Sequence, residues 1–211
     1  MATALSAFFP DFMAELPSCD EVSGERAVRN ACIEFCAMSL AVRFEAAQIA
    51  TTANVAEYPF VPPADTQVIQ VVQVRWNGYE LDPVSVDELD DRYAGDWRTK
   101  KERSPLGYTQ LGRTSLLLVP VPIDTSTLDM TLAIAPTRAA ATVDDVLYNI
   151  YADTIAAGAK ASLMMRPQTP YTNPQLAAAN RQKFLSGVSL AKRSAYKSNT
   201  RGPLQARMRR I

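Results

Sequence analysis

The chain has 211 residues, 47% of them hydrophobic, with 22 basic and 22 acidic side chains and no histidine. That composition is globular rather than disordered and sufficient for one sizeable core, and the missing histidine removes the commonest general base and the commonest neutral metal ligand together. Cys19, Cys32 and Cys36 are too few, and odd in number, for a disulfide framework, so reduced thiols are expected. Zero net charge conceals an asymmetry. Residues 1–153 hold all 22 acids and 11 bases, whereas from Thr154 onward there are 11 bases and no acid. Such segregation implies different partners for the two parts.

In chain order, "MATALSAFFPDFMAELP" has no basic leader, and Pro10, Asp11 and Glu15 interrupt its apolar stretch, so it does not read as a signal peptide. No segment approaches the roughly 20 apolar residues of a membrane span, and a soluble protein made in a cytoplasm, with no membrane partner, is expected. "SCDE" from Ser18 has capping-box spacing. The Ala-rich stretch Glu25 to about Ala50 then predicts a helix with Ile33, Cys36, Leu40 and Phe44 on one stripe and Val28, Ala31, Phe35 and Met38 on the next. Apolar surface over so much of its circumference calls for burial by other helices or by subunits.

A different grammar fills the middle. "TQVIQVVQVRWNGYEL" alternates like a strand and reaches Asn77-Gly78, which suits a type I′ hairpin. "SVDELDDRYAG" predicts a short helix whose Asp87, Glu88, Asp90 and Asp91, with Asp96 beyond, read as a solvated face, because the ligand alternation and central Gly of a calcium loop are missing. Two more strands follow at Thr114–Val119 and Leu128–Ala135.

Helical spacing returns after "TVDD" at Thr142–Asp145, through Leu147, Ile150, Tyr151, Thr154, Gly158, Ala161 and Met165, and Pro167 stops it. Asn173 as N-cap and Pro174 at the first position then open a helix to about Ala195. "YKSNTRGPLQARMRRI" has few apolar residues and no acid, and is expected to be extended or disordered in the free monomer. The fold class expected is α+β: an antiparallel bundle of about four helices from 1–55 and 140–196, a small antiparallel β-domain inserted at 56–139, and an extended basic tail at 197–211.

No phosphate-binding glycine loop or nucleophile elbow occurs. Cys32 and Cys36 lie one helical turn apart, but zinc wants four ligands, and core packing explains them. No catalytic residue, metal or cofactor is expected. For the basic tail three readings stand: a solvated tail, a DNA arm with Tyr196 stacking on a base, and a peptide docking on a protein partner.

The order of blocks adds a resemblance. "FFPDFMAELPSCDEVSGERAVRNACIEFCAMSLAVRFE", "YPFVPPADTQVIQVVQVRWNGYELDPVS", "SPLGYTQLG" before "LLLVPVP", and "IYADTIAAGAKASLMMRPQTPYTNPQLAAANRQKFLSGVSLAKRSA" resemble the tail adaptor, or head-to-tail connector, proteins of tailed bacteriophages. The resemblance covers about residues 8–196. Tyr171 stands where relatives often have tryptophan, and the final basic residues lie beyond it.

What the resemblance implies is a structural role in the head–tail neck of the virion. Identical subunits form a ring, dodecameric in the family, beneath the phage portal protein. The ring extends the DNA channel, which DNA crosses without specific binding, and offers a platform to a downstream nozzle, stopper or tail tube. Family members often stay monomeric until the portal templates the ring.

On that footing residues 1–153 are expected to act as an acidic body, with Asp87, Asp90, Asp91, Asp144 and Asp145 facing the lumen. Lys197, Arg201, Leu204, Arg207, Met208, Arg209, Arg210 and Ile211 are expected to dock on the portal. Tyr148, Tyr151 and Phe184 are expected at the subunit interface. The alternative is a nonspecific DNA-binding module using the basic arm.

Overall fold

A computed structural model describes residues 2–197. They form two compact units: a helical one from residues 2–42 and 135–197, and a β-rich one from 43–134. The α-helices are α1 (Glu21–Ser39), α2 (Val86–Tyr93), α3 (Asp145–Met164) and α4 (Pro174–Tyr196).

In the helical unit α3 is central, packing against both α1 and α4. Its run of small residues permits this. A Cβ on Gly158 would lie 2.7 Å from the Phe184 ring and 3.2 Å from Ala31 Cβ, so only a bare backbone fits between α1 and α4. Phe184 is fully buried at that crossing. The chain before α1 is part of the same core. Two 3₁₀ segments, Leu5–Asp11 and Met13–Glu15, bring Leu5, Phe8, Phe12 and Leu16 into the interior. Phe8 meets Tyr148 edge-on at 5.1 Å, and Phe35 of α1 meets Tyr151 at 4.7 Å.

Caps set the helix ends. Asp20 accepts from Ser23 N at 2.8 Å and is the cap of α1, where Ser18 was expected; Ser18 itself has φ 69°. Asp144 caps α3 and Asn173 caps α4, with Pro174 following as predicted. Helix α1 ends at Ser39, well short of Ala50, because Leu40 turns left-handed. Residues Arg43–Glu45 and Ile49–Ala50 then pair with strand Thr127–Pro136. A local preference for helix in the Ala-rich segment yields to ladder bonds supplied by a distant strand.

The β-rich unit holds a five-stranded sheet in the order Arg43–Glu45, Thr127–Pro136, Thr66–Trp76, Tyr79–Glu80, with Ile49–Ala50 also on Thr127–Pro136. The hairpin at Asn77-Gly78 forms as predicted, with φ 49° and 79°. A four-stranded sheet runs Glu57–Pro59, Ser115–Val119, Gly107–Thr109, Asp82–Pro83, its last pair parallel, and Val121–Pro122 pairs in parallel with Lys101–Glu102. Ser85 caps α2, and Leu89 of α2 packs with Trp97 and Val119. In the helical unit Ala2–Ala4 pairs with Thr142–Asp144.

The expected architecture of a helical bundle with a small antiparallel insert is therefore corrected. The described residues contain four sheets and make a mixed α+β protein in which thirteen strands, about a quarter of the chain, stand beside the helices. Many of its strands are two or three residues long. Segments so short have no readable period, and apart from Tyr79–Glu80 of the hairpin each is hydrogen-bonded to a strand distant in the chain.

Cys32 and Cys36 are buried among these helices, and burial pushes both thiols up, Cys36 to about 12, with Asp144 adding to the rise there. Because these folded-state values lie above the ordinary 9.0, their stabilising effect is full below pH 9 and is lost as pH climbs toward 12. Native protein treated with iodoacetamide near neutral pH should carry no label on either residue by peptide mass mapping, and both should label in urea. Labelling of the native thiols would show that the helix α1 core opens.

Candidate functional site

The helical and β-rich units distribute charge differently from the linear sequence. Among described residues the helical unit carries ten basic and nine acidic side chains, and the β-rich unit carries eight basic and thirteen acidic. The acidic excess of residues 1–153 is thus divided between the two units. Folding lays α3 and α4 against α1 and cancels much of the N-terminal acidity within the helical unit.

Three ion and hydrogen-bond contacts carry out that cancellation. Lys160, buried on α3, donates to Glu15 Oε1 at 2.7 Å, tying the second 3₁₀ segment to the bundle. Arg181 of α4 grips Glu34 of α1 with both guanidinium nitrogens, one at 2.8 Å, and this fork raises the Arg181 pKa further. Arg166 donates to Ser23 Oγ at 2.9 Å and, with the Ser23 amide and hydroxyl, favours an ionised Asp20, whose pKa is lowered chiefly by the Ser23 backbone hydrogen bond. These bases belong to the run that the sequence presents as a continuous cationic half.

Other bases are left facing water. Helix α4 contains no acid, and its Lys183, Lys192 and Arg193 are exposed. Leu190 and Tyr196 on the same helix are 66% and 63% exposed. Lys197 closes α4, its backbone N–H directed at the Arg193, Ser194 and Ala195 carbonyls. Arg201, Leu204, Arg207, Met208, Arg209, Arg210 and Ile211 lie outside the described residues.

The acids expected at a lumen fall into two groups. Asp87, Asp90 and Asp91 project from α2 in the β-rich unit, where Asp90 accepts from Trp97 Nε1 at 2.7 Å while Asp87 and Asp91 are exposed. Asp144 and Asp145 open α3 in the helical unit: Asp144 accepts from Val146 N at 2.9 Å, and Asp145 Oδ1 accepts from Thr3 Oγ1 at 2.6 Å. Both thus hold local structure. Of the aromatic residues expected at an interface, Tyr148 and Tyr151 are half-buried, and Phe184 is interior. Val146 and Ile150 on the same turns of α3 are 39% and 66% exposed. Neither stands out in the sequence, where Ile150 marks only helical spacing.

A trough of about 440 Å³ in the helical unit is floored by Ala31, Gly158 and Ala161, and its charged rim is Glu34 and Arg181, already committed to one another. Among the described residues no cluster of three or more His, Cys, Asp or Glu is arranged to hold a metal, and no helix is long and apolar enough to cross a membrane. What the surface offers is charge-sorted contact area.

The two units thus differ in charge, and the helical one ends in a cationic C-terminal helix. A family model described as SU10 adaptor protein matches residues 10–207, covering both units and most of the basic C-terminal segment. The chain belongs to the SU10 adaptor protein family, a family of phage head–tail adaptors, and is a virion component. The match extends past residue 196, where the resemblance in the sequence was expected to stop. No curated protein sequence matches the chain.

Proposed function

We propose that this adaptor assembles as a ring of identical subunits, twelve in number, beneath the portal vertex, extends the DNA channel, and joins the head to a downstream nozzle, stopper or tail tube. The family match supports this reading, and it reaches residue 207, so that Lys197, Arg201, Leu204 and Arg207 of the expected docking segment fall inside the matched length. Residues 198–211 add four bases, Arg201, Arg207, Arg209 and Arg210, and no acid, which suits a groove of partner carboxylates. Lys197, Leu204, Met208 and Ile211 complete that docking segment.

The β-rich unit supplies the channel lining. Its excess of acids, with Asp87 and Asp91 exposed on α2, repels passing phosphates. A ring reconstruction with neutral or basic lumen residues would refute this assignment. The subunit contact uses the exposed Val146 and Ile150 of α3 beside Tyr148 and Tyr151, with Phe184 reserved to the core.

Mass photometry of the protein with its cognate portal tests the reading. The full-length chain is expected to shift portal mass by a ring of subunits, and a chain truncated after Ser198 is expected to lose that complex while retaining its helical circular dichroism. Absence of any portal complex, together with salt-sensitive binding to duplex DNA, would make the protein a nonspecific DNA-binding module instead.

A further inference from the structure

The exposed side of α4 has an order that its composition does not reveal. Leu176, Lys183 and Leu190 recur every seven residues, and Arg193 follows one turn later. Leu176 and Lys183 flank, and Leu190 and Arg193 lie opposite, the face of Phe184, Val188, Ala191 and Ala195, which fill the core. Leu176 and Leu190 are 42% and 66% exposed, large for aliphatic residues on an otherwise polar face. No ion pair among the described residues engages Lys183 or Arg193, in contrast to Arg181, which is spent on Glu34.

We infer that this ridge of α4 is itself a docking surface for an acidic groove on a protein partner, so that recognition begins on the folded helix upstream of residue 198. Leu176 and Leu190 supply an apolar anchor two turns to either side of Lys183, on a helix face that can be laid into a groove. Its alternation of aliphatic and cationic groups discriminates between partners. Duplex DNA presents phosphates and would leave Leu176 and Leu190 in water, whereas a groove with an apolar floor and carboxylate rim satisfies all four side chains. The helix backbone is also ordered beforehand, so contacts on it avoid the backbone-ordering cost that an unfolded peptide incurs on binding.

The inference rests on the proposed adaptor reading, under which the groove belongs to the portal. Its test uses the full chain in three forms: wild type, the charge reversal K183E/R193E, and L190A. Binding to the portal and to a short DNA duplex is measured by biolayer interferometry, with thermal melting as a check on folding. Both variants are expected to melt like wild type and to bind portal about tenfold or more weakly, and L190A is expected to leave any duplex binding unchanged.

Wild-type affinity for portal in both variants would overturn the ridge assignment and leave the adaptor reading standing. Loss of duplex binding with portal binding intact would make the ridge a nucleic-acid surface. Failure of the wild-type chain to bind portal would sink the adaptor reading and this inference with it.

Discussion

Phe184→Ala is expected to destabilise the helical unit by about 3–5 kcal/mol, the usual range for removing a fully buried aromatic ring. The ring has no solvent exposure, sits against the bare backbone of Gly158, and lies under the Arg181 guanidinium at 5.3 Å. Its loss leaves a hole that the helices can close only by moving α4 toward α3. Urea denaturation followed by far-UV circular dichroism should register the drop.

The same contact predicts a reversal of sign. Gly158→Ala alone places a methyl 2.7 Å from the Phe184 ring, an overpacking that typically costs about 1–3 kcal/mol and exceeds the gain of about 1 kcal/mol in helix propensity. In the Phe184→Ala background that methyl enters the vacated space. The double variant should therefore be more stable than Phe184→Ala alone, a coupling that a double-mutant cycle measures directly. Additive losses would mean that Gly158 and Phe184 do not share one packing site.

Gly107→Ala should strike the β-rich unit comparably, by about 2–3 kcal/mol, the upper part of the range for overpacking. Gly107 is hemmed between two neighbours, paired in parallel with Asp82 and opposite Val119 on the other side. An added Cβ would lie 2.7 Å from the Asp82 carbonyl oxygen and 2.6 Å from Val84 Cγ2. The carbonyl is backbone, so relief requires the Asp82–Pro83 strand to shift and weakens the 2.8 Å bond from Val84 N to Tyr108 O. Both tryptophans, Trp76 and Trp97, belong to this unit and are buried, so the urea midpoint by tryptophan fluorescence should fall. An unchanged fluorescence midpoint would mean that the parallel pairing contributes little.

Elements with local signals were legible in the sequence. Asn173-Pro174 announced the start of α4, Asn77-Gly78 the hairpin, and "SVDELDDRYAG" the short helix α2. The end of α1 was not legible, since Leu40 is a good helix former and its left-handed turn is imposed by the strand that takes up Arg43–Glu45. The 3₁₀ segments before α1 were hidden for a related reason: Phe8, Phe12 and Leu16 follow no single period, and only the assembled core explains their burial.

The family signature was readable because it resides in the order of blocks along the chain, which folding does not alter. By itself the sequence determined the phage adaptor family, the helices and hairpin with strong caps, and the cationic C-terminal half. Only the tertiary structure decided which charges remain available to a partner. Arg181 and Lys160 are consumed by Glu34 and Glu15, more than a hundred residues away in the chain, while Lys183 and Arg193 keep their charge on the surface. The physical reason is that an ion pair depends on distance in space, and four neighbouring bases on two helices acquire opposite fates from the direction in which each side chain leaves its helix.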